Sequence, residues 1–230
     1  YNAATVDIEE DKTYSLEDAL VMIKTNATAK FDETVELHLR TGADPRHAEQ
    51  MIRGVVILPN GIGKTISTLV FCQGDAIQSA KDSGADYVGN DDLIEKIESG
   101  WTGFDVAIAT PDMMGKIGKL GPILGRKGLM PNPRIGTVVS NENIPRAVEE
   151  SKKGRLEFKI DKSSIIHTLI GKSSFNSDHL VENLAVLMDA ILSQRPAGLK
   201  GDFIKSAYIT TTMGPSVSLE VASIMSLNVK

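Results

Sequence analysis

The chain has 230 residues, of which 41% are apolar and 24% charged, with a net charge of −5 at neutral pH. Such a length allows one large domain or two, and the composition is that of a folded soluble protein rather than a disordered one. No apolar run approaches the roughly 20 residues of a membrane span, the single cysteine cannot form an internal disulfide, and the acidic balance runs against simple electrostatic binding of nucleic acid.

The chain starts at Tyr1 with no charged-then-apolar leader, and so reads as a processed or trimmed soluble product. Its first eighteen residues carry six acids, Asp7, Glu9, Glu10, Asp11, Glu17 and Asp18. From Ser15, "SLEDALVMIKTNA" puts Leu16, Ala19, Leu20 and Ile23 on one helical face, behind a serine cap with Asp18 three residues on. "TVELHLR" alternates Val35, Leu37 and Leu39 with Glu36, His38 and Arg40, a half-buried strand, and "GVVILP" is a second strand ended by Pro59.

"LPNGIGKT" at 58–65 ends like a phosphate-binding loop. That loop needs a glycine five positions before its Gly-Lys-Thr and a helix after it. Leu58 stands where the glycine should be, and the following "TISTLVFCQ" is β-branched and apolar, so no nucleotide site is expected. The rhythm then becomes strand and helix in alternation: "ISTLVFC", "DAIQSAKDSG", "ADYVG", "DDLIEKIESG" and "FDVAIAT", with Gly84 and Gly100 as C-caps. Cys72, placed within the first of these strands, reads as an inert buried thiol.

A Gly/Pro-rich passage over 115–136 carries Lys116, Lys119, Arg126, Lys127 and Arg134 with no acid between Met113 and Arg134. It is expected to be a loop. Either it is simply solvated, or its cations, with Met113, Met114, Met130, Pro131 and Pro133, suit weak contacts to RNA. "NIPRAVEESKKG" closes the section as a helix ending at Gly154, and strands "RLEFKI", "IIHTLIG", "FIKSAYITTT" and "SVSLEV" follow, with a helix from Asp178 to Gln194.

This order implies α+β and α/β parts in two domains. A split α+β, sandwich-like domain from residues 1–61 and 155–230 holds an inserted Rossmann-like α/β domain, 62–154. Gly61, Gly63 and Gly154 sit at the two crossings, where they serve either as a hinge or as tight turns. No metal site is expected, because His38, His47, His167 and His179 lie in unrelated segments without ligand spacing. Asp91 and Asp92 open a helix, where carboxylates favour the positive end, so they need no catalytic role. An enzyme on the α/β part would need a Gly-x-Gly-x-x-Gly fingerprint after its first strand, and "CQGDAIQ" lacks it.

Several stretches in order, "AKFDETVELHLRTGADPR", "IRGVVILPNGIGK", "GADYVG", "FDVAIATPDMM", "LGRKGLMPNPRIGTV", "GKSSF" and "TTTMGPS", resemble the ribosomal protein L one family of the bacterial type, from about Ser15 to about Leu219. The resemblance implies a non-enzymatic constituent of the large ribosomal subunit, monomeric within it and without cofactor or membrane contact. It would bind the rRNA stalk beside the tRNA exit site and help deacylated tRNA leave. It also implies a translational repressor as the alternative, binding its own messenger RNA through the same site.

Carried over by motif, the RNA contacts would be Lys30, Phe31, Glu36, Asp161, Lys162, His167, Ser206, Thr212, Met213 and Gly214. In that role Lys30 and Lys162 meet phosphates, Ser206 and Thr212 bond 2′-hydroxyls, and Phe31 and Met213 offer flat or soft apolar surface. Gly214 would let the backbone approach a sugar. Two positions depart from the family pattern: "GRKG" at Gly125 to Gly128 replaces Gly-Pro-Arg-Gly, which would loosen that loop, and Ser164 stands where the family has glycine. A chloroplast ribosome is the expected compartment, with a bacterial cytoplasm as the alternative.

Overall fold

The computed structural model describes residues 12–227 together with Thr5, Ile8 and Glu9. Tyr1 and the acids Asp7, Glu10 and Asp11 therefore lie outside the described residues. In chain order, helix α1 (Leu16–Thr25) leads to strands β1 (Thr34–Thr41) and β2 (Arg53–Ile57). Strand β3 (Thr68–Phe71), helix α2 (Ala76–Asp82), strand β4 (Tyr87–Gly89), helix α3 (Asp91–Glu98) and strand β5 (Val106–Ala109) follow. Short helices α4 (Met114–Ile117) and α5 (Gly121–Leu124) precede helix α6 (Ile144–Lys152). The chain closes with strands β6 (Arg155–Lys159) and β7 (Ile165–Lys172), helix α7 (Ser177–Ser193), strands β8 (Ile204–Thr211) and β9 (Val217–Leu219), and helix α8 (Val221–Met225).

Contacts divide the chain into two compact units, residues 1–63 with 154–230, and residues 64–153. The boundary falls two residues later and one residue earlier than the sequence suggests. Ile62 packs against the core of the first unit, and Gly154 stays with it because its carbonyl accepts the Leu58 N–H at 3.2 Å.

In the first unit an antiparallel sheet runs in the order β7-β1-β8-β9, beside a separate β2-β6 pair. Alternation gives β1 its two faces: Val35, Leu37, Leu39 and Thr41 point inward, while Glu36 and His38 are half-buried and Arg40 is exposed. The inward face meets Leu16, Ala19, Leu20 and Ile23 of α1 and Leu180, Leu184, Leu187, Met188 and Ile191 of α7 in one core. The second layer of the expected sandwich is thus helical. Ser15 caps α1 as expected, its Oγ accepting the Asp18 N–H at 3.2 Å.

The second unit is a parallel sheet ordered β4-β3-β5. Leu69, Phe71, Ala107 and Ala109 face α3, α4 and α5, while Val70, Cys72 and Ile108 face α2 and α6, so both faces are covered, as parallel sheets require. Cys72 lies one residue past β3 rather than within it. It is fully buried, and burial raises its thiol above the ordinary cysteine value, which keeps it inert. Lys64, the lysine of the false phosphate loop, pairs with Asp105 at 2.6 Å.

The passage after β5 is not the loop its glycines suggest. Met113, Ile117, Leu120 and Leu124 are all fully buried along two short helical turns. Met113 and Pro131 are therefore interior, and of the residues offered for RNA contact only the five cations and Pro133 are exposed. Lys116 pairs with Asp91 at 2.8 Å and Lys127 donates to Thr102 Oγ1, leaving Lys119, Arg126 and Arg134 without an ion pair among the described residues. The Gly125 to Gly128 segment is tied by Gly128 N–H to Gly125 C=O and Leu129 N–H to Leu124 C=O, at 3.2 and 2.9 Å.

Candidate nucleic-acid interface

The face of the four-stranded sheet turned away from the helices carries Glu36, His38 and Arg40 on β1, Ile165, His167 and Leu169 on β7, and Ser206, Tyr208 and Thr210 on β8. Glu36, His167 and Ser206 thus share one open face. Lys30, Phe31, Thr212, Met213 and Gly214 cluster at one end of it, because β8 runs antiparallel to β1 and ends where β1 begins. Asp161 and Lys162, just before β7, mark the opposite end. At strand rise the two ends stand about 25 Å apart. Phe31 is 55% exposed and Met213 65%, so neither is a core residue.

Glu33, which the sequence reading passes over, assembles the Phe31 and Met213 end. It is only 1% exposed, and its carboxylate accepts the Ala29 N–H at 3.1 Å and the Met213 N–H at 2.9 Å. Asp32 adds a second clamp, accepting the Ser173 hydroxyl at 2.9 Å and the Ser174 hydroxyl and N–H at 2.8 and 3.1 Å. This gives "KFDE" and "GKSSF" a shared structural task. Continuing the alternation of Val35, Leu37 and Leu39 back one step puts Glu33 at an inward position, but its partners are visible only in the fold.

Burial alone would raise the Glu33 carboxyl, but the Met213 and Ala29 amides outweigh it and hold it below the ordinary glutamate value. A carboxyl lowered on folding contributes stability above its unfolded value, and that contribution is lost as pH falls through the folded one. Glu33→Gln should therefore cost about 1 to 2 kcal/mol at neutral pH. The gap between wild type and variant should stay constant down to about pH 4.5 and close below it. Urea denaturation across a pH series measures this, and a gap independent of pH would refute it.

Three of the residues expected at RNA also have partners within the protein. The Thr212 hydroxyl already accepts the Thr34 N–H at 3.0 Å, so it extends the β1–β8 pairing. At Gly214 an added Cβ would run into Oγ1 of the buried Thr211, so internal packing also calls for a glycine there. Asp161 uses Oδ1 to accept the Ser163 and Ile165 N–H groups, both at 2.8 Å, and presents Oδ2 to His167 Nε2 at 3.6 Å. Those amide bonds, the Ile165 one foremost, hold its carboxyl below the ordinary aspartate value.

Within that turn Ser164 has φ +65, the one non-glycine with positive φ among the described residues. Its carbonyl accepts both the N–H and the hydroxyl of Thr41, at 2.8 and 3.0 Å, which keeps it there despite the steric cost. Glycine would take this conformation without that cost. Ser164→Gly is thus expected to raise stability by about 0.5 to 1 kcal/mol, after the added freedom of the unfolded chain is counted. A lowered melting temperature would contradict this.

Gly61, Gly63 and Gly154 all have positive φ, at +68, +70 and +100. Among the described residues no group of three or more His, Cys, Asp or Glu side chains could hold a metal ion, and no helix is long and apolar enough to cross a membrane.

Residues 23–215 match the Ribosomal protein L1p/L10e family. The chain is 50% identical over 227 residues to the large ribosomal subunit protein uL1 of Dehalococcoides mccartyi, covering 99% of this chain and 96% of that protein. It is likewise 50% identical over 228 residues to the uL1 protein of Chloroflexus aggregans, with the same coverage. These relatives are bacterial, which does not support the expected chloroplast placement and fits the bacterial alternative.

Proposed function

We propose, from the premise that the chain belongs to the ribosomal protein L1 family, that its open sheet face grips the stalk of the large-subunit rRNA. Membership makes the protein a structural, non-enzymatic constituent of the large ribosomal subunit. The observation that carries the RNA reading is the exposure of both Phe31 and Met213 at one end of the open face, in loops tied together by the buried Glu33. A folded protein exposes such side chains together where something covers them, and a ribose or unstacked base suits both.

Lys30, Arg40, Lys162 and Lys205 rim the same face without an ion pair among the described residues, so they are free to meet phosphates. Few phosphate contacts on an acidic protein imply a shallow salt dependence, with most of the affinity from shape and hydrogen bonds. The exposed Lys119, Arg126 and Arg134 are the surface we assign to the exit-site tRNA. Glycines at the two crossings between the units would let the inserted unit swing as that tRNA leaves. Binding of the protein's own messenger RNA would use the Phe31 and Met213 end as well.

Met213→Asp tests the reading with little risk to the fold, since the side chain is exposed. Stalk-RNA affinity should fall by about 1 to 3 kcal/mol, with an unchanged melting temperature. Wild-type affinity in a filter assay would remove the site from this end of the sheet.

A further inference from the structure

At the centre of the open face the strand register sets three rings in a row across three strands, His167 on β7, His38 on β1 and Tyr208 on β8. The two imidazoles are joined: His167 Nδ1 lies 3.0 Å from His38 Nδ1, with ring centroids 5.0 Å apart and planes at 64°. A bond between two ring nitrogens needs one proton and one lone pair. The outer nitrogens each face a carboxylate, His38 Nε2 that of Glu36 at 3.7 Å and His167 Nε2 that of Asp161 at 3.6 Å. His38 is the less exposed of the pair and is ringed on the same face by Glu36, Arg40, Ser206 and Tyr208.

We propose that His38 is a positioning residue for RNA: through the Nδ1–Nδ1 bond it fixes the ring of His167, so that His167 Nε2, which also faces the Asp161 carboxylate at 3.6 Å, is set to bond a ribose 2′-hydroxyl. This rests on the RNA reading of the open face given above. An imidazole alone on a strand surface turns freely about its χ angles, and holding it costs entropy at the moment of binding; a preformed bond removes that cost. The bond needs at least one of the two rings to be neutral. Once both rings are protonated, two N–H groups oppose each other and the bond is lost.

The groups that bear on this are Glu36 and Arg40 from β1, Asp161 and Lys162 before β7, and Tyr208 with Lys205 from β8. Burial pushes the His38 ring below the ordinary histidine value, the facing His167 adds to this and Glu36 opposes it, so its surroundings favour the neutral form that the bond needs.

The test is a double-mutant cycle on the full chain, read as affinity for a stalk-rRNA hairpin relative to a scrambled hairpin. His167→Ala should weaken specific binding about tenfold and His38→Ala about three- to tenfold, with the double variant no weaker than His167→Ala alone. His38→Asn, whose amide can take either role in the bond, should bind like wild type at about pH 7.5. If His167→Ala weakens binding while His38→Ala does not, or if the two losses multiply, the positioning role is overturned and the RNA reading survives. If His167→Ala binds like wild type, both fall.

Discussion

Asn183→Leu is expected to destabilise the first unit by about 2 to 4 kcal/mol, one of two large effects expected from positions that touch no ligand. Asn183 is fully buried in the middle of α7, where an isosteric leucine would otherwise be the better helix residue. Its amide is spent on backbone. Nδ2 donates to the Ile170 carbonyl at 2.8 Å and to the Gly61 carbonyl at 3.1 Å, and Oδ1 accepts the Asn60 N–H at 3.0 Å. Leucine would leave three backbone groups without partners and set a branched side chain against them. Urea denaturation followed by circular dichroism reads this. Trp101 fluorescence does not, because Trp101 lies in the other unit. A loss below about 1 kcal/mol would show that these groups find other partners.

Gly154→Ala is expected to cost about 2 to 4 kcal/mol by a different route. Its φ of +100 is outside the range that suits a Cβ, and an added Cβ would lie 2.6 Å from the Gly61 Cα and 3.2 Å from the Gly61 carbonyl carbon. The neighbour is backbone bonded to Asn183 and, from the Gly61 N–H, to the Leu58 carbonyl at 3.0 Å, so relieving the overlap would strain these bonds. The same urea experiment measures the loss, and a neutral substitution would mean that the crossing relaxes easily. For the same reason proline is a poor probe of motion at Gly61: it can match neither the φ of +68 nor the donated N–H.

These two residues show what local pattern does and does not reveal. The strands of the first unit were legible because one face is buried and the other is not, so Val35, Leu37 and Leu39 declare their register directly. Glu33 and Asn183 were not, since each is a polar residue in an inward position whose partners come from distant segments; only the fold says that it is satisfied. The passage after β5 misled through composition. Its glycines suggest a loop, yet Met113, Ile117, Leu120 and Leu124 recur at helical spacing and all four are buried. As for the interface, family resemblance supplied Phe31 and Met213, and the period of two along β1 and β8 could have added His38 and Tyr208 to the same face. Ser164 shows the limit of both routes: the departure from glycine was visible, but that the site needs positive φ was not.

The central claim is that RNA is held by the open sheet face and not by the basic segment of the inserted unit. It is tested most directly by placing a photo-crosslinking side chain at Phe31, and separately at Arg126, in the full-length protein bound to stalk rRNA. Both positions are exposed, so either substitution leaves the core intact. The account predicts a strong crosslink to the stalk from position 31 and none from position 126. A crosslink from position 126 with silence at position 31 would contradict it, and would move the RNA site to the surface of Lys119, Arg126 and Arg134.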